Sequence, residues 1–213
     1  MIRRNDMYKV LIVEDSVFVK TALSNAISLM EECDIIDTIE NAEMAEILCL
    51  RLKVDVIVMD ICTKDDSSGL RSAANIKKLH PEIKIIISTS MPDYSFIKKA
   101  REAGCESFWY KNENTDELIG IIRKTLSGES IYPDASPVIR IGEITSDQLT
   151  PRELEVIKKL AEGRSYQEIA DELYVSIDTV RQHTKTIYSK TGFHSNVQLI
   201  SACIMSGLVL PGY

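Results

Sequence analysis

Five short apolar runs recur through the first 110 residues: YKVLIV (8–13), CDIIDTI (33–39), VDVIVM (54–59), KIIIS (84–88) and ESFWY (106–110). A segment of helical period follows each one, and this alternation restricts the fold more than any other feature. Strands separated by helices imply βα units and a parallel sheet. Several runs are apolar throughout rather than at every second residue, as strands covered by helices on both faces should be. After the first run, Phe18, Ala22, Leu23, Ala26, Ile27 and Met30 fall on one helical face. Similar segments occupy 41–52, 68–80, 94–103 and 115–127. Residues 1–127 are therefore expected to form an α/β domain around one five-stranded parallel sheet.

From 128 to 147 the pattern lapses into GESIYPDASPVIRIGEITSD, with two prolines and two glycines, which reads as a linker. From 148 to 213 the period is helical only, over 151–162, 166–173, 177–190 and 196–206, with Gly163 and Gly192 where helices should stop. The net charge of −7 is unevenly placed. Residues 148–213 carry seven Lys and Arg against seven Asp and Glu, so all of the excess acid lies in 1–147. The five cysteines are scattered without a CxxC pair, which fits buried thiols in a reducing compartment. No apolar stretch approaches the ~20 residues of a membrane span or the ~7–15 of an export signal. The expected setting is cytoplasmic, with no membrane partner.

In an open parallel sheet, ligands bind beyond the carboxyl ends of the strands. Here the first strand ends at Glu14-Asp15, the third at Asp60, the fourth at Thr89-Ser90 and the fifth at Lys111. Taken singly, each has an ordinary reading: a helix N-cap at Asp15 or Ser16, a loop acid at Asp60, a surface charge at Lys111. Together they gather three acids, a hydroxyl and an ammonium at one end of one sheet. Acids so placed make a hard oxygen site suited to Mg²⁺. A carboxylate beside that ion and a lysine can act as nucleophile toward a phosphoryl group.

On these residues the N-terminal half resembles the receiver domain of bacterial two-component response regulators. The resemblance implies a flavodoxin-like doubly wound fold and a phosphoacceptor at Asp60, supplied by a cognate histidine kinase. It implies Mg²⁺ held by Glu14, Asp15, Asp60 and the backbone carbonyl of Cys62. Thr89 matches the hydroxyl that closes on the phosphoryl group, Phe108 the aromatic switch position, and Lys111 the lysine that pairs with the phosphoryl oxygens. Two departures stand out. Thr63-Lys64 replaces the Met-Pro step that many receivers carry after the nucleophile, in a longer polar loop to Gly69, and Asn112 replaces the proline often found after the lysine.

In the C-terminal segment, Ile169, Ala170 and Leu173 give a short apolar helix face, YVS a turn, and Ser176 a cap for the next helix. Within that helix Val180, Thr184 and Ile187 suit a core, while Arg181, Gln182 and Lys185 lie on another face. Only Asp178 is acidic between 177 and 191, against Arg181, Lys185 and Lys190. A solvated helix face would look the same from Arg181 and Lys185 alone. The whole stretch, with LTPRE, AEG, EIA and the Ser176, Thr179, Val180 spacing, resembles the LuxR-type helix-turn-helix. That implies a four-helix all-α domain whose Arg181, Gln182 and Lys185 enter the major groove of double-stranded DNA. The last helix is the usual dimer contact in such domains, although its Val197, Ile200 and Ile204 would equally close a core.

A receiver joined to such a domain resembles the NarL/FixJ class of response regulators. The expectation is a phosphorylation-controlled transcriptional regulator rather than an enzyme, a homodimer on DNA with RNA polymerase as a further candidate partner. The alternative is the same DNA-binding regulator with a receiver that does not depend on phosphorylation. A Mg²⁺-dependent phosphotransferase would want an acid two residues after the nucleophile, where this chain has Cys62.

Overall fold

The computed structural model of the chain describes residues 7–65, 67–93, 95–111 and 114–209; Asn112 lies outside them. They group into two compact units, one ending at Ala135 and one beginning at Ser136, with Met91–Asp93 grouped with the second.

The first unit runs β1 (Tyr8–Val13), α1 (Val17–Ser28), β2 (Cys33–Ile39), α2 (Ala42–Cys49), β3 (Val56–Asp60), a small hairpin of β4 (Cys62–Thr63) and β5 (Ser67–Ser68), and α3 (Gly69–Leu79). It continues with β6 (Lys84–Thr89), α4 (Ser95–Glu102), β7 (Ser107–Tyr110) and α5 (Thr115–Leu126). The five longer strands are all parallel, in the order β2-β1-β3-β6-β7. This is the five-stranded parallel sheet the apolar runs imply, doubly wound as the resemblance implies. Every residue of β3 and β7 is buried, while the edge strand β2 is mostly half-buried.

One face of the sheet offers Val10, Ile12, Val56, Val58, Ile86 and Trp109 to Leu23 and Ile27 of α1 and to Leu118, Ile121 and Ile122 of α5. Burying each large aliphatic side chain stabilises the fold by ~1.5–3 kcal/mol relative to leaving it exposed. Strand side chains alternate between faces, so the parity of Val10-Ile12, Val56-Val58 and Trp109 runs on to Glu14, Asp60 and Lys111. The pairing supports that extension, since Glu14 N donates to Ile39 O at 2.8 Å and Lys111 N to Thr89 O at 2.8 Å. The strand pattern that builds the core thus delivers the three charged residues to one place.

Phe18 does not join this core and is 84% exposed. Only Glu14 to Ser16 separate β1 from α1, so the first turn of α1 stands at the sheet's carboxyl end, above the charged site. Leu23, Ala26, Ile27 and Met30 of the expected face are buried.

The second unit contains β8 (Arg140–Ile141), β9 (Ile144–Thr145), α6 (Pro151–Ala161), α7 (Tyr166–Glu172), α8 (Ile177–Thr191) and α9 (Asn196–Met205). Its core joins Val156, Ile157 and Leu160 of α6, Ile169 of α7, Val180 and Ile187 of α8, and Leu199 and Cys203 of α9. Thr150 and Ser165 cap α6 and α7 through capping boxes with Glu153 and Glu168. Ser176 caps α8, and Gly192 ends it in the left-handed conformation.

The segment read as a linker, 128–147, is structured at both ends. Phe108 N donates to Ile131 O at 2.8 Å and Tyr132 Oη to Cys105 O at 2.6 Å, which holds its first part to the sheet edge. Farther on, β8 and β9 pair as an antiparallel hairpin whose Ile141 enters the helical core. Gly142 turns that hairpin with φ +60, and a Cβ there would lie 2.1 Å from the Thr191 carbonyl oxygen, so only glycine fits.

Candidate functional site

Strand order reverses between β1 and β3, and the crevice outside their carboxyl ends is where a sheet of this kind binds ligands. Glu14, Asp15 and Asp60 meet there, with one carboxylate oxygen from each within 4.8 Å of the others. Glu14 and Asp60 are buried, whereas Asp15 is exposed. Lys111 Nζ lies 2.9 Å from Asp60 Oδ2 and 2.5 Å from Glu14 Oε2, its side chain only 7% exposed. Ser16 settles how α1 begins. Its hydroxyl accepts from Val19 N at 3.5 Å, and its own N–H donates to Glu14 Oε1 at 3.1 Å. Helix capping thus falls to Ser16, and Asp15 is not consumed by it.

Burial raises the Asp60 carboxyl to about 7, and the nearby Glu14 and Asp15 charges push the same way while Lys111 opposes them. For Lys111, burial disfavours the charge, but the Asp60 and Glu14 carboxylates outweigh it and hold the ammonium above its ordinary range. Lys111 therefore stays charged. The donor set fits Mg²⁺: three hard carboxylates converge, with one oxygen of each close enough to share a single ion.

The segment after Asp60 is ordered in a way the sequence did not indicate. Cys62 and Thr63 pair with Ser68 and Ser67. Gly69 N donates to Ile61 O at 2.8 Å, and a Cβ on Gly69 would lie 1.8 Å from the Asp60 carbonyl oxygen. Thr63 and Ser67 are buried and bond to the start of α2. Sequence reading noted Thr63 only as a departure. The available signal was a pair of hydroxyl residues flanking a polar turn after a nucleophile.

Thr89 ends β6 in register with Tyr110 and is buried. Phe108 is 1% exposed, its ring 5.0 Å from Tyr110 edge-on and 6.5 Å from Tyr132 in a stacked arrangement. No sequence motif marks Tyr132, whose place beside Phe108 comes from the docking of 131–132.

In the second unit Val180, Thr184 and Ile187 are buried as expected, and Arg181, Gln182 and Lys185 are exposed on α8. Arg181 Nη1 donates to Asp178 Oδ1 at 2.9 Å. In α9 the core is closed by Leu199 and Cys203, with Ile200 and Ile204 packed beside them, while Val197 is 75% exposed.

The response regulator receiver domain family matches residues 10–123, and the luxR family of bacterial regulatory proteins matches residues 147–203. The response regulator protein VraR of Staphylococcus epidermidis is 29% identical over 206 residues, covering 94% of this chain and 98% of its own length. VraR of Staphylococcus aureus gives the same identity and coverage. Among solved structures, RcsB of Salmonella enterica serovar Typhimurium bound to a promoter in the presence of a phosphomimetic is similar with a TM-score of 0.62 and 21% identity, covering 96% of this chain and 100% of that one. A structure of two RcsB dimers bound to two parallel DNAs is similar with a TM-score of 0.61 and 20% identity, covering 95% and 99%. The receiver match alone takes in more than half of the 213 residues, and the chain belongs to the response regulator family, as a receiver domain followed by a LuxR-type DNA-binding domain.

Proposed function

We propose that this response regulator is switched by transfer of a phosphoryl group to Asp60 and that the switch controls sequence-specific DNA binding through α8. The observation that carries the reading is the buried constellation of Asp60, Glu14 and Lys111, with Lys111 Nζ within 2.9 Å of both carboxylates. Glu14, Asp15 and Asp60, with the Cys62 carbonyl, would hold Mg²⁺, which supplies neutralisation of charge on the transferring phosphoryl oxygens. An Asp60 carboxylate oxygen attacks phosphorus, and the P–N bond to a histidine of the kinase breaks. The electron pair stays on the imidazole, which then takes up a proton, and an aspartyl phosphate remains. Lys111 passes from its carboxylate partners to the new phosphoryl oxygens, Thr89 closes on them, and Phe108 carries the change onward. The protein takes up one phosphoryl group as a signal and turns over no substrate.

On DNA, Arg181 suits guanine O6 and N7, Gln182 suits adenine, and Lys185 a base or phosphate. The DNA complexes and dimers of RcsB support a homodimer on DNA, which would engage two half-sites, and RNA polymerase is a further candidate partner. A cytoplasmic setting accords with these partners, and no helix among the described residues is long and apolar enough to cross a membrane. The test is Mg²⁺-dependent labelling by acetyl phosphate, read by intact mass. Wild type should gain one phosphoryl group and Asp60→Asn none, since an amide is a poor nucleophile. Equal labelling of a folded Asp60→Asn protein would move the acceptor elsewhere, and no labelling of wild type would favour control independent of phosphorylation.

A further inference from the structure

The two-residue strands β4 and β5 form a hairpin that starts at Cys62, two residues after Asp60, and is fastened to the N-terminus of α2. Thr63 Oγ1 accepts from Ala42 N at 3.0 Å and donates to Ser67 O at 2.8 Å. Ser67 Oγ accepts from Glu43 N at 3.1 Å. Outside these hydroxyls, Asn41 Nδ2 donates to Lys64 O at 3.0 Å and Lys64 N to Glu40 O at 2.9 Å. Asp65 turns the chain with φ 60, a left-handed conformation that aspartate adopts more readily than most non-glycine residues. Thr63 and Ser67 are 5% and 2% exposed. The first N–H groups of a helix have no partner within it. Here Thr63 satisfies the N–H of Ala42, and Ser67 shares that of Glu43 with the N-cap Asn41, whose Oδ1 accepts from it at 2.9 Å.

This fastening brackets Cys62. Asp60 is fixed at one end by the sheet, and Thr63 at the other by α2 and Ser67. The residue between them that supplies a metal-binding carbonyl therefore has little freedom. Partners one step removed from a metal orient its ligands, and their loss typically weakens metal binding about 10- to 100-fold. We propose that Thr63 is a positioning residue for the metal site, its hydroxyl clip to Ala42 and Ser67 fixing the backbone at Cys62 for Mg²⁺ binding. The proposal rests on the reading of Glu14, Asp15, Asp60 and Cys62 as the Mg²⁺ ligands.

The test is Mg²⁺ titration of the full chain, read by fluorescence of Trp109. It is the sole tryptophan, buried on β7 and in register with Ser88, which is itself in register with Asp60. Thr63→Val keeps the shape and loses both hydrogen bonds, and Thr63→Ser keeps them. The expected result is an Mg²⁺ Kd raised about tenfold in Thr63→Val and close to wild type in Thr63→Ser. Should Thr63→Val fail to fold, Thr63→Ala removes the same two hydrogen bonds without setting a methyl group against the Ala42 N–H, with a raised Kd expected in the same titration. A wild type that responds to Mg²⁺ while the folded variant matches its Kd overturns the proposal alone. Failure of Thr63→Ser to restore the Kd also overturns it, since the hydroxyl would then not be the cause. A wild type that shows no Mg²⁺ binding, confirmed by calorimetry, overturns the metal reading and the proposal with it.

Discussion

Gly69 leaves no room for a side chain beside Asp60, the proposed phosphoacceptor. A Cβ there would sit 1.8 Å from the backbone oxygen of Asp60, a contact that neither backbone can accept without moving. Gly69→Ala should therefore cost ~1–3 kcal/mol, as overpacking does elsewhere, read as a lower urea midpoint and weaker labelling by acetyl phosphate. An unchanged midpoint and labelling would mean that α3 can shift freely against β3. At the other end of the chain, Arg181 is paired with Asp178, but both are well exposed and such pairs contribute little. The guanidinium is therefore free to exchange its carboxylate for a base edge. Arg181→Ala should cost ~1–3 kcal/mol against the preferred base and relax selectivity at that position. Lys185→Ala, as a phosphate contact, should weaken binding across sequences and flatten the salt slope. Binding curves at two salt concentrations separate these outcomes, and no change in either variant would leave α8 a structural helix only.

At the scale of elements, one buried carboxylate joins two helices of the DNA-binding unit. Glu153 Oε2 accepts from Thr150 N at 2.7 Å and from Lys190 Nζ at 2.8 Å, so the start of α6 is tied to the end of α8. Burial pushes the Glu153 carboxyl up, but Lys190 and Thr150 outweigh it and leave it below the usual carboxylate range. The folded protein thus binds this proton less readily than the unfolded chain. The stabilisation is complete above the unfolded value of ~4.3 and is lost as pH falls through the lower folded value. Glu153→Gln should lower stability at neutral pH by ~1–3 kcal/mol and remove this residue's share of the acid loss. Superimposable stability-versus-pH curves for variant and wild type would contradict that. The elements themselves were readable from sequence in proportion to their length. The apolar runs at 8–13 and 54–59 had enough residues to show strand character, and Val180, Thr184 and Ile187 had enough turns to show a helix face. The hairpins at 62–68 and 140–145 did not, because a two-residue strand has no period. For the same reason Thr63 and Ser67 passed as loop hydroxyls: their burial depends on α2, which is distant in sequence. The strand-end residues Glu14, Asp60 and Lys111 were legible because strand parity reaches them. Phe18 was misplaced because helical period shows which face a residue occupies, not where along the helix the core ends.

In the whole molecule, two units with separate cores carry separate tasks and different charge. All of the net −7 belongs to residues 1–147, while 148–213 sum to zero. In the proposed reading the excess acid of residues 1–147 disfavours approach to DNA phosphates, and affinity would come from local charge on α8 and from pairing of two chains on two half-sites. Coupling between a modification and DNA affinity in such a system is typically about 5- to 150-fold. The central claim is that a phosphoryl group on Asp60 sets that affinity. Its most direct test uses one duplex recovered from genomic fragments bound by the full-length protein. Wild type and Asp60→Asn are titrated against it at one fixed salt concentration, each with and without acetyl phosphate and Mg²⁺. We expect acetyl phosphate to tighten binding of the wild type by a factor on the order of ten and to leave Asp60→Asn unchanged. An equal gain in the variant, or no gain in the wild type, would contradict control through Asp60.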